Sequence, residues 1–448
     1  MTPEPGTISQ ARPSLLERLA LHRPELRAWA LVDCANSAFF TVVITAVFPY
    51  FFGAVPGADL SDDEVRRRFT LTTTIAMGIA ALLGPILGAV ADYARLKKRL
   101  FVVFTLLGVA ATSAMFALQR GDWLFAAVLF GIANLGVVTS LVFYDAFLPH
   151  VARAGEADRL STTGYAVGYL GGGLCLALVV AMMTWEEPLG LAGEDALAAR
   201  AGFLVVALWW LAFTIPFLRR VHEPPAALET DERPGQNPVR VALARIGETF
   251  TELRKYKHAV LLLLAFLAYS DAIGTIIRMA ALYAAELKIP AKTVVLCILL
   301  VQFIGIPFAV LFGRLAGRIG TKRAILIALA GYIGICVWAS RVEETWEFVV
   351  MAMMVGMVQG GAQALSRSLF STLVPKHKSG EFFGLFSTLE KFAGILGPLV
   401  FFVSPSTRAA VLWLIVFFVV GAGLLLLVDV EKGRAAARET EAELVSGG

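Results

Sequence analysis

The stretch GAVADYARLKKR, at residues 88–99, has a partner in the second half of this chain. GRLAGRIGTKR, at residues 313–323, lies about 225 positions later and also joins a long apolar run to a basic cluster. LPH at 148–150 and VPK at 374–376 recur at nearly the same separation. The chain therefore consists of two halves that repeat in the same orientation, which is a common arrangement in two-bundle secondary transporters.

Apolar runs long enough to cross a membrane make up most of both halves. Of the 448 residues, 58% are hydrophobic and 17% charged, whereas soluble domains have about 45–50% and about 25%. A spanning helix needs about 20 apolar residues, and such runs fall at 28–52, 69–91, 100–118, 122–148, 160–184, 200–218, 258–285, 292–313, 322–340, 346–373, 381–403 and 408–428. The pattern predicts an all-α integral membrane protein with twelve transmembrane helices in two pseudo-symmetric six-helix bundles, and it excludes soluble, fibrous and disordered classes.

The spans divide the chain into five regions. They are an N-terminal segment (1–27), an N-terminal bundle (28–218), a linker (219–257), a C-terminal bundle (258–428) and a tail (429–448). The second part of the linker has apolar residues at helical spacing: Val239, Leu243, Ile246, Phe250 and Leu253. This spacing predicts an amphipathic helix on the membrane surface; an extension of the seventh span is the alternative.

The distribution of basic residues predicts the orientation. With the N-terminus in the cytoplasm, 27 of the 39 Lys and Arg residues fall on the cytoplasmic side, 9 on the opposite side and 3 within spans. Positive charge is enriched in cytoplasmic loops. We therefore expect a multi-pass protein of the cell (inner) membrane with both termini, the linker and the tail in the cytoplasm, and we see no cleaved signal peptide.

Seven ionisable residues lie within the predicted spans. The acids are Asp33, Asp145, Asp271 and Glu390, and the bases are Arg278, Arg367 and Lys391. A charge at the bilayer centre costs ~2.5–3.5 kcal/mol, so such groups face a partner or a water-filled cavity. Asp33, Ser37, Thr41 and Thr45 are four residues apart and predict one polar stripe on the first span.

Six of these residues and three amides are the candidates for binding a solute or carrying a coupling proton. The set is Asp33, Asn36, Asp271, Arg278, Gln359, Gln363, Arg367, Glu390 and Lys391. Asp145 lies one turn before Pro149 and is better interpreted as part of a cytoplasmic gate. Purely structural alternatives stay open: Asp33 could be interfacial, Arg367 could reach the membrane surface, and Arg278 could only neutralise Asp271.

Other classes of site find little support. The four cysteines lie in apolar runs without metal-ligand spacing, so we expect neither a metal nor a disulfide. No basic domain for nucleic acid, cofactor motif or catalytic motif is present, so no enzyme is expected. The glycines of the fifth span (Gly164, Gly168, Gly171, Gly172 and Gly173) indicate close helix packing or a hinge.

The two repeated loops resemble the major facilitator superfamily signature G-x-L-A-D-x-x-G-R-K-K. Gly88, Ala91, Asp92, Lys97 and Lys98 match in the first copy, with Arg95 in place of the glycine. Gly313, Leu315, Ala316, Gly320 and Lys322 match in the second, with Gly317 in place of the acid. The resemblance implies a cytoplasmic gate formed by Asp92, Arg95, Lys97 and Lys98, with Arg318 as its counterpart.

A narrower resemblance rests on WALVDCANSAF (29–39), GGAQALSRSLFSTLVPK (360–376) and GEFFGLFSTLEKFAGILGP (380–398). These phrases are similar to the vacuole-effluxer-like family, whose fungal members are linked to autophagy and amino-acid efflux. We therefore expect a secondary transporter, with a monomer favoured, that moves a small polar or zwitterionic solute by alternating access, with a proton as a candidate coupling ion. An exporter of apolar drugs or metabolites with the same fold and a transport-inactive solute receptor are the alternatives.

Overall fold

The computed structural model describes residues 14–192, 196–224, 236–252, 254–392, 400, 404 and 406–446, and the secondary structure of these residues is entirely helical. After a short turn of helix at Leu15–Arg18, the first half contains α1 (Pro24–Ala54), α2 (Asp62–Ala94), α3 (Lys97–Ala117), α4 (Trp123–Val151), α5 (Ala157–Thr184) and α6 (Leu197–Arg220). A linker helix, α7 (Pro238–Glu252), follows. The second half contains α8 (Lys257–Glu286), α9 (Ala291–Ile319), α10 (Thr321–Ala339), α11 (Thr345–Leu373), α12 (Ser379–Phe392), α13 (Thr407–Leu426) and the terminal helix α14 (Val430–Ser446).

Eleven of the helices within the described residues are long and apolar enough to cross a membrane. They correspond to eleven of the twelve predicted spans. The remaining predicted span, 381–403, begins in α12, and most of its last part lies outside the described residues. The predicted fold class is thus confirmed, and twelve spans stay a prediction.

Each half packs around its own aromatic core. In the first half, Phe48 stacks on Phe130 with ring centroids 4.4 Å apart. In the second half, Tyr332 stacks on Phe418 at 5.1 Å. The two halves therefore have separate hydrophobic cores.

The halves meet on the side of the bundle where α7 lies, which we call the linker side. There α2 packs on α12, and α5 packs on α9 and α11. The α2–α12 contact is a crossing of glycines: Gly84 and Gly88 lie against Gly380 and Gly384. A Cβ at Gly384 would lie 2.5 Å from the carbonyl oxygen of Gly84, so the backbones approach too closely for a larger residue.

Hydrogen bonds between the halves extend from the linker-side helix ends to the level of Thr41 and Gln302. Gln302 of α9 donates to Thr41 of α1 at 2.9 Å, and Thr388 of α12 donates to the carbonyl oxygen of Ala81 at 2.6 Å. Gln302 lies 17 residues from the linker-side end of α9, which is about 25 Å along a helix. The halves are therefore closed against each other from the linker side inward.

The helix α1 is not a regular α-helix, contrary to the predicted four-residue stripe. Residues Phe39–Val47 form a π-helical segment, which turns each residue by less than an α-helix does and shifts the register. Thr45 is exposed and donates to the carbonyl oxygen of Phe40, five residues earlier, at 2.9 Å. Asp33 therefore does not share one straight stripe with Thr45, because the turn changes between them.

The linker helix and the tail differ in detail from the predicted linker and tail. In α7 the buried residues are Val241, Ala242 and Arg245, whereas Val239 and Leu243 of the predicted apolar stripe are exposed. Val239 and Leu243 therefore face away from the protein, whereas Ile246 of the same stripe is half-buried, because α7 packs on α2 with a face that includes Arg245. The predicted tail is the helix α14, in which Glu443 pairs with Lys255 at 2.8 Å. Phe250 lies in α7, and Leu253 lies outside the described residues.

Candidate functional site

A charged cluster centred on Arg367 joins the two halves. Arg367 of α11 binds both oxygens of Asp33 of α1, with Nη2–Oδ2 at 2.9 Å and Nη1–Oδ1 at 3.2 Å. Its Nη1 also donates to Asp145 of α4 at 3.2 Å. Its Nε donates to the hydroxyl of Ser161 of α5 at 2.9 Å. The guanidinium of Arg367, which belongs to the C-terminal half, thus binds three helices of the N-terminal half.

Aromatic rings surround the same guanidinium. The Arg367 Cζ atom lies 4.7 Å from the ring centroids of both Trp29 and Tyr165, and 5.5 Å from that of Tyr144. Trp29 and Tyr144 stack on each other at 4.5 Å. Cation–π attraction strengthens when water is excluded, and the Arg367 side chain is only 5% exposed. The rings therefore stabilise the charge and fix its position.

The glycines of α5 bring this cluster together. Gly164 lies against Asp33 and Trp29, and a Cβ at Gly168 would lie 2.7 Å from the Ser37 hydroxyl. At Gly172 a Cβ would lie 2.7 Å from the Thr41 hydroxyl. Small residues let helices approach closely, so the polar face of α1 packs directly on α5. The close-packing interpretation of these glycines therefore accounts for their spacing.

A second charged group closes the linker side, at the residues implied for the gate. The Asp92 carboxylate pairs with Lys97 at 2.6 Å and accepts the backbone N–H groups of Gly380 and Glu381 at 3.1 and 2.9 Å. These two groups belong to the first turn of α12, where unpaired N–H groups favour an anion. Lys97 also donates to the Ser379 hydroxyl at 2.9 Å. Asp92 therefore bridges α2 to α12 across the contact between the halves.

A third bridge uses an acid that the sequence analysis did not single out. Asp158, in the first turn of α5, accepts the hydroxyl of Ser368 of α11 and the hydroxyl of Thr321 of α10, both at 2.6 Å. The loop before Thr321 is the second signature copy, in which Gly317 replaces the acid. The missing acid is thus supplied from the other half, by α5, at the pseudo-symmetric position of the Asp92 bridge.

Two other implied gate residues lie away from this contact. Arg95 is exposed and ends α2 with φ 56° and ψ 48°, a left-handed conformation that glycine adopts most easily; this explains why the signature has glycine at that position. Arg318 is exposed and makes no hydrogen bond or ion pair with a described residue.

Lys98 ties the linker to α3 rather than to the other half. Its ammonium donates to the Val221 carbonyl oxygen, and its backbone N–H donates to the Glu223 carboxylate, both at 2.7 Å. Burial raises the pKa of Glu223, and the hydrogen bond from Lys98 opposes that shift. Lys98 therefore fixes the point where the linker leaves the N-terminal half.

From Arg367 a line of polar residues runs away from the linker side. Gln363 and Gln359 precede Arg367 by one and two turns on α11, are half-buried, and make no side-chain hydrogen bond with a described residue. Glu390 and Lys391 of α12 pair with each other at 3.1 Å, although they are neighbours in sequence. Glu390 lies close enough to Asp145 to interact electrostatically with it.

The remaining candidates lie on α8 and α1. Asp271 is 1% exposed and interacts electrostatically with Arg278, two turns along α8. The Arg278 guanidinium folds back over Gly274, where a Cβ would lie 3.0 Å from Nη1. Asn36 is 3% exposed, and neither atom of its amide finds a hydrogen-bonding partner among the described residues. A buried amide without a partner is costly, so this side chain is a candidate to bind a ligand or water.

The structure thus brings Asp33, Asp145 and Arg367 into one cluster and makes this cluster part of the contact between the halves. Sequence reasoning missed Ser161, Asp158 and Ser368, which also lie in that contact. The sequence contained a signal for these three residues, because Ser161 and Asp158 lie in the first turns of the fifth helix and Ser368 lies next to Arg367. The three tyrosine and tryptophan rings around Arg367 carried no signal of their own, because aromatic residues are common in apolar spans.

The chain is similar in sequence to proteins that are named as effluxers or transporters. The family described as "Vacuole effluxer Atg22 like" matches residues 67–438. An uncharacterized MFS-type transporter, YxiO of Bacillus subtilis (strain 168), is 34% identical over 92% of this chain and 96% of its own length. Autophagy-related protein 22 of Yarrowia lipolytica is 30% identical over 64% of this chain and 53% of its own length.

Solved structures with little sequence identity share the fold. The proton:xylose symporter XylE bound to 6-bromo-6-deoxy-D-glucose superposes with a TM-score of 0.68 at 13% identity, covering 95% of this chain and 98% of that one. A bacterial homologue of the iron transporter ferroportin in an outward-facing state gives 0.63 at 16% identity, covering 94% and 98%. The fold is therefore that of the major facilitator superfamily, and the chain belongs to the vacuole effluxer Atg22-like family.

Proposed function

We propose that this chain is a secondary active transporter that carries a small zwitterionic solute, such as an amino acid, by alternating access between its two halves. The observation that carries the proposal is the binding of Arg367, from the C-terminal half, to Asp33 and Asp145 of the N-terminal half. Such a cross-half bond has to break each time the linker side opens. Rocking of two bundles around a central site is a common transport mechanism for this architecture.

The polar groups beyond Arg367 suit a zwitterion. A free amino acid presents an ammonium and a carboxylate on one carbon. The Glu390–Lys391 pair offers one group of each sign, and the amides of Gln359 and Gln363 have hydrogen-bonding capacity that no described residue uses. Charged hydrogen bonds contribute about 1.5–3 kcal/mol each, which is enough to select a charged solute over an apolar one.

The distribution of basic residues supports an orientation in the membrane, and the description of the matched family supports a direction of solute transport. With 27 of the 39 Lys and Arg residues on the linker side, we assign that side to the cytoplasm of the cell membrane and place both termini there. The matched family is described as an effluxer. We accordingly propose outward movement of the solute, with a proton as the coupling ion and a monomer as the working unit.

Exchange in proteoliposomes tests this proposal. Vesicles loaded with an unlabelled amino-acid mixture should accumulate a labelled member of the accepted set. Lys391→Met and Gln363→Leu should lower the exchange rate by about tenfold, the factor that corresponds to one charged hydrogen bond. Lys432→Met is the matched control, because the Lys432 side chain is 77% exposed on α14.

Two outcomes would contradict the proposal. Exchange of apolar drugs without exchange of any amino acid would favour the exporter alternative. Binding of an amino acid, seen as a raised melting temperature, without any flux would favour the receptor alternative.

A further inference from the structure

We infer that Asp145 is the proton-binding group that couples solute movement to a proton gradient, and that its protonation weakens the bond between the halves. This inference rests on the proposed transport function. It assigns to Asp145 a role distinct from that of Asp33, although both carboxylates bind the same guanidinium.

Arg367 donates more hydrogen bonds to the carboxylate of Asp33 than to that of Asp145. Asp33 receives two hydrogen bonds from Arg367, one to each oxygen, at 2.9 and 3.2 Å. Asp145 receives one, at 3.2 Å, from the Nη1 atom that also serves Asp33. Bidentate pairing with arginine is the stronger geometry. Protonation of Asp145 therefore weakens one shared hydrogen bond, whereas protonation of Asp33 would weaken the stronger, bidentate pair.

The charges around Asp145 do not balance. Among the described residues, the charged and titratable groups that face it are Asp33 of α1, Tyr165 of α5, Arg367 of α11, Glu390 of α12 and, on its own helix, Tyr144. Lys391 already pairs with Glu390. One guanidinium thus faces two carboxylates, so the buried cluster has a net charge of minus one. Like charges in a buried site favour binding of one proton.

Asp145 is also the more accessible acid of the pair. Its side chain is 16% exposed, compared with 11% for Asp33 and 5% for Arg367. Of the two carboxylates, Asp145 is therefore the one that water can reach more easily. A proton taken up from water on the side of the membrane opposite the linker converts the carboxylate to a neutral acid, removes its ionic attraction to Arg367 and weakens the Nη1–Oδ1 hydrogen bond. After the halves separate on the linker side, the acid returns the same proton to the water there, and the charge of the cluster is restored.

Two transport measurements on the same vesicles test the assignment. A difference of one pH unit can drive about tenfold accumulation when one proton is coupled, so wild-type protein should show gradient-stimulated uptake as well as exchange without a gradient. In Asp145→Asn the gradient should no longer stimulate uptake, so the ratio of uptake with the gradient to exchange without it should fall to about one, whatever exchange rate the variant retains. In Asp145→Glu the ratio should stay above one, because glutamate restores the titratable group. Asp62→Asn, an exposed carboxylate at the start of α2, should behave as wild type.

Several results would overturn the inference. The first is a pH gradient that still stimulates uptake in Asp145→Asn. The second is stimulation of uptake that is lost in Glu390→Gln but not in Asp145→Asn. The third is uptake by the wild-type protein that does not change when the gradient is applied. If Asp145→Asn does not fold, Asp145→Glu still tests the inference. A folded Asp145→Glu protein in which the gradient no longer stimulates uptake would contradict it. Failure of wild-type protein to exchange any amino acid would instead overturn the proposed function itself.

Discussion

At the scale of single residues, Arg367 has the most demanding role in the described structure. It is buried in a membrane-spanning helix and makes ion pairs with Asp33 and Asp145. Removing one partner of a buried ion pair costs about 3–5 kcal/mol, because the other charge is left without compensation. The planar guanidinium donates two hydrogen bonds to Asp33 and one to Asp145. An ammonium group cannot reproduce this fixed planar geometry.

We therefore expect Arg367→Lys to reduce transport by about tenfold or more while the protein still folds, because lysine retains the charge but loses the bidentate bond. Exchange in vesicles and the melting temperature measure the two effects. Arg66→Lys is a suitable control, because the Arg66 side chain is 79% exposed. Wild-type exchange in Arg367→Lys would show that the geometry of the guanidinium does not matter.

At the scale of elements, the crossing of α2 and α12 depends on glycine. A Cβ at Gly384 would lie 2.5 Å from the Gly84 carbonyl oxygen, and one at Gly380 would lie 2.6 Å from the Gly88 carbonyl oxygen. Asp92 holds the first turn of α12 at the same crossing. A bulky residue there forces the helices apart, and the hydrogen bonds of Asp92 lengthen with them.

Gly384→Val should accordingly shift the protein toward conformations that are open on the linker side. The distance between spin labels on cysteines at Arg95 and Arg318, both exposed and on opposite halves, should lengthen and broaden. Gly78→Val on α2, the helix that α12 crosses, is the matched control, because no atom lies within 4 Å of its added Cβ. An unchanged distance distribution in Gly384→Val would contradict the role of the crossing.

At the scale of the whole molecule, two acids from the N-terminal half close the linker side at pseudo-symmetric places. Asp92 bridges α2 to the start of α12, and Asp158 bridges α5 to Thr321 and Ser368. Asp92 and Lys97 together make three hydrogen bonds to the other half, two from backbone N–H groups to Asp92 and one from Lys97 to Ser379, whereas Asp158 makes two. Hydrogen bonds to charged groups are worth about 1.5–3 kcal/mol each, so the Asp92 bridge should be the stronger one.

Asp92→Asn should therefore open the linker side more than Asp158→Asn does, and Asp158→Asn more than wild type. The same spin-label distance measures the order. Asp59→Asn provides the baseline, because the Asp59 side chain is 63% exposed where it pairs with Arg120. An effect of Asp158→Asn no larger than that of Asp59→Asn would remove the second bridge from the mechanism.

The terminal helix α14 belongs to the C-terminal half rather than to a free tail. The Glu441 carboxylate of α14 accepts a hydrogen bond from the backbone N–H of Lys376 at 2.8 Å. The Thr440 hydroxyl accepts one from the hydroxyl of Tyr256 at 3.2 Å. Deleting α14 from Val430 onward should lower the melting temperature by about 4 °C or more, because the deletion exposes Tyr256 and breaks these bonds. Glu439→Gln, an exposed position on the same helix, should leave the melting temperature unchanged; a stable truncated protein would contradict the packing role.

The amino-acid sequence by itself determined the fold class, the two-fold repeat and the position of the charged residues along the chain. Hydrophobic spans and their spacing follow directly from the need to bury about 20 residues in lipid, so a one-dimensional pattern suffices to find them. The same reasoning identified Asp33, Asp145 and Arg367, because a charge in a span has to have a partner.

Only the tertiary structure decided which partner each charge has. Arg367 meets Asp33 across 334 positions of the chain, and Asp158 replaces the acid that the second signature copy lacks. The spacing of residues along the chain also did not predict the π-helical turn in α1 or the exposure of Val239 and Leu243 on α7. Such pairings depend on how the helices cross, and the crossing depends on where glycine permits close approach in three dimensions.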